Sequence, residues 1–224
     1  MKYIKTYSIF ESVSGDQFLK TKEEIESWIL KNFGLFTDEH INDDLTIDMD
    51  IVNLGHSKLV RFPVRFGKVE GFFCNDNNLV SLEGSPVEVN SFRCENNNLT
   101  SLDGCPNLIR GDMHCENNKI ESFGDKQILI KGDLFIQNNN IKSIKNFPIV
   151  DGDINTYNNP IHEILQFISK SDVSKFIEYL NEYDVMKNDN EIIMDRFKEA
   201  LYMIDNNDFP IEGFVYSLKN YKAI

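Results

Sequence analysis

The side chains of this 224-residue sequence whose types could do chemistry are four cysteines, four histidines and two files of carboxylates. Cys74, Cys94 and Cys115 recur at intervals of twenty and twenty-one residues, with Cys105 between the last two. Thiolates at a regular spacing raise a metal site or a disulfide as readings. Asp112, Asp133 and Asp153 recur at the same interval, as do Glu95 and Glu116. Paired carboxylates can carry general acid–base work or hold a cation. His40, His56, His114 and His162 are scattered along the chain. Asn98-Leu99-Thr100 fits the N-x-T acceptor pattern. A Gly-rich phosphate loop, an H-E-x-x-H pair and a nucleophile elbow are all missing.

The interval itself explains more than the cysteines do. With Cys94 as the reference column, the same place is taken by Leu54, Cys74, Cys115, Ile136 and Thr156. Two residues earlier stand Val52, Phe72, Phe92, Met113, Leu134 and Ile154. Five later come Leu59, Leu79, Leu99, Ile120, Ile141 and Ile161, and eight later Phe62, Leu82, Leu102, Phe123, Ile144 and Ile164. Three residues after the reference lie Asn77, Asn97, Asn118, Asn139 and Asn159, with Ser57 in the first copy. Six registers of apolar-x-apolar-x-x-Asn-x-apolar make an internal repeat.

A repeat of this length predicts a solenoid. The alternating apolar pair is a short strand with both side chains inward, and successive strands lie side by side in a parallel sheet. The asparagines turn inward and bond backbone groups that no strand reaches, forming a buried ladder. Sections such as Asp103-Gly104-Cys105-Pro106 bring the chain back with no room for a long helix. Strand spacing of about 4.8 Å puts the outer two cysteine columns roughly 10 Å apart, too far for one zinc ion. Parallel neighbours also hold their Cβ atoms beyond the preferred disulfide separation. The cysteines are therefore expected to be small packing groups, with Cys105 partly packed in the return loop. Residues flanking the reference position point to the open face: Phe73 and Asn75, Arg93 and Glu95, His114 and Glu116, Phe135 and Gln137, Asn155 and Tyr157. Aromatic residues and Arg dominate binding energy, which makes this face the expected partner surface.

The pattern L-x-L-x-x-N-x-L resembles the consensus of leucine-rich repeats of the short type. More narrowly, "RFPVRFGKVEGFFCNDNNLVSLEGSPVEV" (61 to 89) is similar to the repeat proteins encoded by tailed bacteriophages and some marine bacteria. The resemblance covers most of the chain. It implies an α/β solenoid with a parallel sheet on one face and protein binding as the role, with no catalytic residues to carry over. The start MKYIKTYSIFESV is similar to the leaders that send proteins into phage proheads and are cut after Glu, here Glu11.

Both ends of a solenoid need covering. Thr21-x-x-Glu24 is a capping box that opens a helix with Ile25, Trp28, Ile29 and Phe33 on one face. Val173, Phe176, Ile177 and Leu180 form a second stripe, with Ser171 as its N-cap. Ile193, Phe197, Ala200, Leu201 and Ile204 form a third, and a last helix runs through Phe214, Tyr216, Leu218 and Tyr221. The expected division is an N-terminal arm and capping helix at 1–44, about six repeats at 45–165 and a helical cap at 166–224. Between Gly34 and Ser57 stand six acidic residues and no Lys or Arg, read as a solvated edge and not a calcium loop.

A formal charge of -13 opposes phosphate backbones and anionic lipid, so neither nucleic acid nor membrane is an expected partner. Four cysteines in a chain this long, behind a start with no apolar h-region, suit a reducing cytoplasm, where the acceptor sequence meets no glycosylation machinery. The expectation is a non-enzymatic protein-binding module with no metal and no cofactor, a monomer or small oligomer, acting on a host or phage protein. The alternative is a structural protein packaged into a virion.

Overall fold

The computed structural model describes residues 18–33, 41–188, 190–204, 206 and 209–224. Ile9-Phe10-Glu11, His40, Asp38 and Glu39 lie outside the described residues. The chain winds as a solenoid of parallel strands with helices at either end. Its front sheet has six strands in chain order: β1 (Thr46–Asn53), β2 (Arg65–Phe73), β4 (Ser91–Arg93), β6 (Met113–His114), β8 (Leu134–Phe135) and β10 (Ile154–Asn155). The register follows the repeat columns. Val52 pairs with Phe72, Phe72 with Phe92, Phe92 with Met113, Met113 with Leu134 and Leu134 with Ile154.

From β4 onward the front strands are two or three residues long, because one coil of about twenty residues has to make two sheets and two turns. The return side forms a sheet of its own, from β3 (Glu88–Val89), β5 (Leu108–Ile109), β7 (Leu129–Ile130) and β9 (Ile149–Val150). Each of these strands gives one inward residue, Val89, Ile109, Ile130 or Val150, all buried. Between the sheets sit the four apolar columns, which close one continuous core from Ile25 to Tyr221. Phe72 and Phe92 stack inside it at 5.9 Å. The turn into the return side depends on a left-handed residue, with Gly104 at φ 83°. A Cβ there would lie 2.6 Å from the Glu83 nitrogen and the Leu82 carbonyl carbon of the previous coil, so backbone contact and φ both require glycine.

Before the first coil, α1 (Lys22–Phe33) starts at the expected box: the Glu24 N–H donates to Thr21 Oγ1 at 3.2 Å, and the Thr21 N–H to Glu24 Oε2 at 3.2 Å. Ile25 and Ile29 are buried, and the Leu19 N–H donates to the Pro63 carbonyl on the solenoid. Several acidic residues of the following stretch have local work. Asp48 Oδ1 accepts the Lys68 N–H at 2.7 Å, and Asp44 accepts both the N–H and hydroxyl of Thr46, which hold its carboxyl below the ordinary value.

After the last coil come α2 (His162–Leu165), α3 (Val173–Glu182), α4 (Met194–Met203) and α5 (Ile211–Ser217). Val173, Phe176, Ile177 and Leu180 are all buried on α3, as the periodicity predicts. Two expectations are corrected. Asp172 and not Ser171 is the N-cap residue of α3, and its side chain makes no capping bond; the Ser171 hydroxyl instead lies 2.8 Å from that of Ser169. The last helix stops at Ser217, and Tyr221 leads into a strand, β13 (Lys222–Ala223). That strand pairs with β12 (Glu191–Ile192), which pairs with β11 (Met186–Asn188) in a small sheet that the helical periodicity does not foretell. Phe176, Phe197, Phe209 and Phe214 form the aromatic centre of this part, with Phe197 and Phe214 stacked at 4.8 Å. Three side chains tie it to carbonyls of the solenoid: Ser174 to Val150 at 3.1 Å, Asn181 to Ile144 at 3.3 Å and Tyr221 to Lys142 at 2.7 Å.

Candidate functional site

The repeated polar residues divide into those that hold coils together and those that face outward. The inward asparagines belong to the first group. Asn97 Nδ2 donates to the carbonyls of Cys74 and Cys94, each at 3.0 Å, while its Oδ1 accepts the Leu79 N–H at 2.9 Å. Asn77, Asn139 and Asn159 repeat the arrangement and are buried. Asn118 makes the same bonds but is only partly buried, a correction to the fully buried position expected for it.

Two further ladders emerge that sequence columns alone leave unassigned. One residue before each inward asparagine the chain takes φ between 54° and 59°, at Asp76, Asn96, Asn117, Asn138 and Asn158. Asn and Asp tolerate that left-handed region because their short side chains bond locally. Here they bond between coils: Asn96 to Asp76, Asn117 to Asn96, Asn138 to Asn117 and Asn158 to Asn138, at 2.7 to 2.9 Å. The aspartate file is the other ladder. Asp112 Oδ1 accepts the Asp133 N–H and Asp133 Oδ1 the Asp153 N–H, each at 2.8 Å. Asp153 ends the row on Lys170 Nζ at 2.6 Å, and that hydrogen bond raises the lysine's pKa. These carboxylates are scaffold, each serving as acceptor for the next coil.

The thiols belong to the scaffold too. Cys74, Cys94, Cys105 and Cys115 are free and buried, so Cys105 is more enclosed than the partly packed position expected. Burial pushes the thiols of Cys74, Cys94 and Cys105 well above the ordinary value, which suppresses the reactive thiolate. Among the described residues, no three His, Cys, Asp or Glu side chains converge as a metal shell. His162 bonds Thr156 at 2.9 Å at the last coil, and burial lowers its pKa.

What remains is the outer face of the front sheet, where two columns run across the strands. The first holds Phe73, Arg93, His114, Phe135 and Asn155; the second holds Asn75, Glu95, Glu116, Gln137 and Tyr157. Phe73 folds its ring over Gly71, and His114 and Phe135 stack nearly flat, with centroids 4.5 Å apart and planes 9° from parallel. Tyr157 is 65% exposed. Arg93 binds Glu95 Oε1 through Nε at 3.1 Å and through its terminal nitrogen at 3.0 Å. His114 Nδ1 faces Glu116 Oε1 at 3.5 Å.

Only Arg93, Asn155 and Tyr157 are as exposed as expected; Phe73, Asn75, His114, Glu116, Phe135 and Gln137 are half-buried, and Glu95 departs furthest from the open position. Glu95 has a side chain only 7% exposed, so it lies on the outer side of the sheet yet within a cover of neighbours. Arg93 is consequently its counter-ion and not a free surface cation.

No family model matches the chain, and no curated protein or solved structure matches it either. No helix among the described residues is long and apolar enough to cross a membrane.

Proposed function

We propose that this chain is a non-enzymatic protein-binding module of the short leucine-rich-repeat type, with the outer face of the front sheet as its partner surface. The helices at either end serve as caps that close the solenoid. The observation that carries the reading is the placement of aromatic side chains on the wrong side of a finished core. The inward columns form one buried core, yet the opposite side of the same strands carries Phe73, the flat His114–Phe135 pair and the exposed Tyr157. Rings on a rigid sheet supply contact area at low entropic cost, and such residues are the usual anchors of interfaces. The aspartate file and the thiols that suggested chemistry are engaged in a ladder and in packing, which supports binding over catalysis. The resemblance to phage-encoded repeats makes a host or phage protein the partner class.

Phe73→Ala, Phe135→Ala and Tyr157→Ala test the reading. With the partner captured from cell lysate and purified, calorimetry is expected to show at least one variant, still folded by thermal unfolding, weakened by about 1 kcal/mol or more. Tyr157→Ala is expected to leave stability within about 0.5 kcal/mol, as at other surface sites. Unchanged affinity in all three moves the interface to the helices or the return side. Arg93→Ala is a poorer probe, because it strands the buried Glu95 carboxylate.

A further inference from the structure

Three acceptor atoms just past the ends of β4, β6 and β8 have no donor. Glu95 Oε2, Glu116 Oε2 and Gln137 Oε1 are each shut off from solvent and without a hydrogen-bond partner. They occupy one column, about 4.8 Å apart by strand spacing. Each carboxylate has its other oxygen engaged, by Arg93 or facing His114, so the unpartnered atoms form a separate row. A buried acceptor left unpaired is costly, and one in a native fold calls for a partner that the isolated chain lacks. Three in register make the row a receptor for donors. The charge narrows the donor. Two carboxylates share one arginine and one imidazole on a chain of formal charge -13, so the row favours a cation. A metal ion is disfavoured, since no three ligating side chains converge among the described residues. A guanidinium fits better: its planar fork of donors can reach acceptors of two adjacent coils.

We infer that the partner inserts an arginine side chain onto the Glu95–Glu116–Gln137 row. This inference rests on the outer face being the partner surface. The probe is the blocked tripeptide acetyl-Gly-Arg-Gly-amide, with its neutral isostere carrying citrulline, titrated into the full chain and followed by amide resonances. The arginine peptide is expected to shift residues 93–95, 114–116 and 135–137 saturably, with the citrulline peptide at least tenfold weaker. In the Glu95→Gln/Glu116→Gln variant, which keeps shape but removes both charges and turns one acceptor of each side chain into a donor, the preference for arginine is expected to vanish. Equal binding of the two peptides, shifts elsewhere, or no shifts at millimolar peptide overturns the inference. Shifts at these same residues with calcium chloride but not with the peptide also overturn it, in favour of a metal ion. The variant separates the two claims when a captured partner is used. If it binds as wild type while Phe135→Ala does not, the arginine inference fails and the binding face stands; if neither matters, both fail.

Discussion

Asn97→Ala is expected to lower the unfolding free energy by about 1 to 3 kcal/mol, because the buried Leu79 N–H loses its partner. The orphaned group is the Leu79 N–H inside the stack, while the carbonyls of Cys74 and Cys94 each lose one of two donors and keep Asn77 Nδ2 and Asn118 Nδ2, both at 3.1 Å. Asn97→Asp is expected to be at least as harmful despite its identical shape, since a carboxylate oxygen would then face carbonyl oxygens where Nδ2 donated. Cys94→Ala, three residues earlier in the same coil, removes a single small buried atom that makes no comparable bonds, and is expected to cost only about 1 kcal/mol. Urea unfolding with an unchanged slope measures all three. A fold indifferent to Asn97→Ala but lost with Cys94→Ala would mean that the thiols and not the amides hold the coils.

Deleting residues 171–224 is expected to have a larger effect, abolishing cooperative unfolding and driving the remaining chain into aggregates. The deletion removes the donors to the carbonyls of Val150, Ile144 and Lys142 and takes away the elements packed beyond Ile161, Ile164 and Leu165. α3 alone buries four apolar side chains at about 1.5 to 3 kcal/mol each, about 6 to 12 kcal/mol in sum, as large as the net stability of a typical domain. An apolar terminal coil with a bare strand edge is then a template for association. Size-exclusion chromatography and thermal unfolding of the 1–170 fragment decide the matter. A soluble fragment with a sharp transition would show that the helices fold as an independent unit and not as a cap.

The front sheet was legible in the sequence because its signal repeats six times. Each copy supplies only two inward strand residues, but stacking forces every copy into one register, so Val52, Phe72, Phe92, Met113, Leu134 and Ile154 align by eye and pair in space. The return sheet has one inward residue per coil, such as Val89 or Ile109, and a single apolar position has no periodicity to read. The aspartate and left-handed asparagine ladders were hidden for another reason. A polar residue repeated at the surface reads as solubility until a particular acceptor, Asp112 Oδ1 toward the Asp133 N–H, shows which backbone group it serves.

On the candidate face, alternation assigns the two outward columns but does not foretell that most of their residues are half-buried and that Glu95, paired with Arg93, is covered. Strand alternation says which side a residue takes, while burial on that side depends on how long the neighbours' side chains are. The C-terminal part shows the same limit. The stripe of α3 was readable from its 3.6-residue spacing, whereas β11, β12 and β13 are two or three residues long and pair across a chain separation that no local pattern encodes.

Residue-resolved amide hydrogen exchange on the intact chain tests the stacked-ladder account most directly. The N–H groups of Leu59, Leu79, Leu99, Ile120 and Ile141 donate to side-chain oxygens of the next coil at 2.9 to 3.1 Å, and not to any strand neighbour. If those oxygens are the permanent partners of the coils, the five amides exchange slowly and together, opening only with the whole solenoid. Rapid exchange at Leu79, Leu99 or Ile120, in the middle of the stack, while the paired amides of the front sheet stay protected, would contradict it.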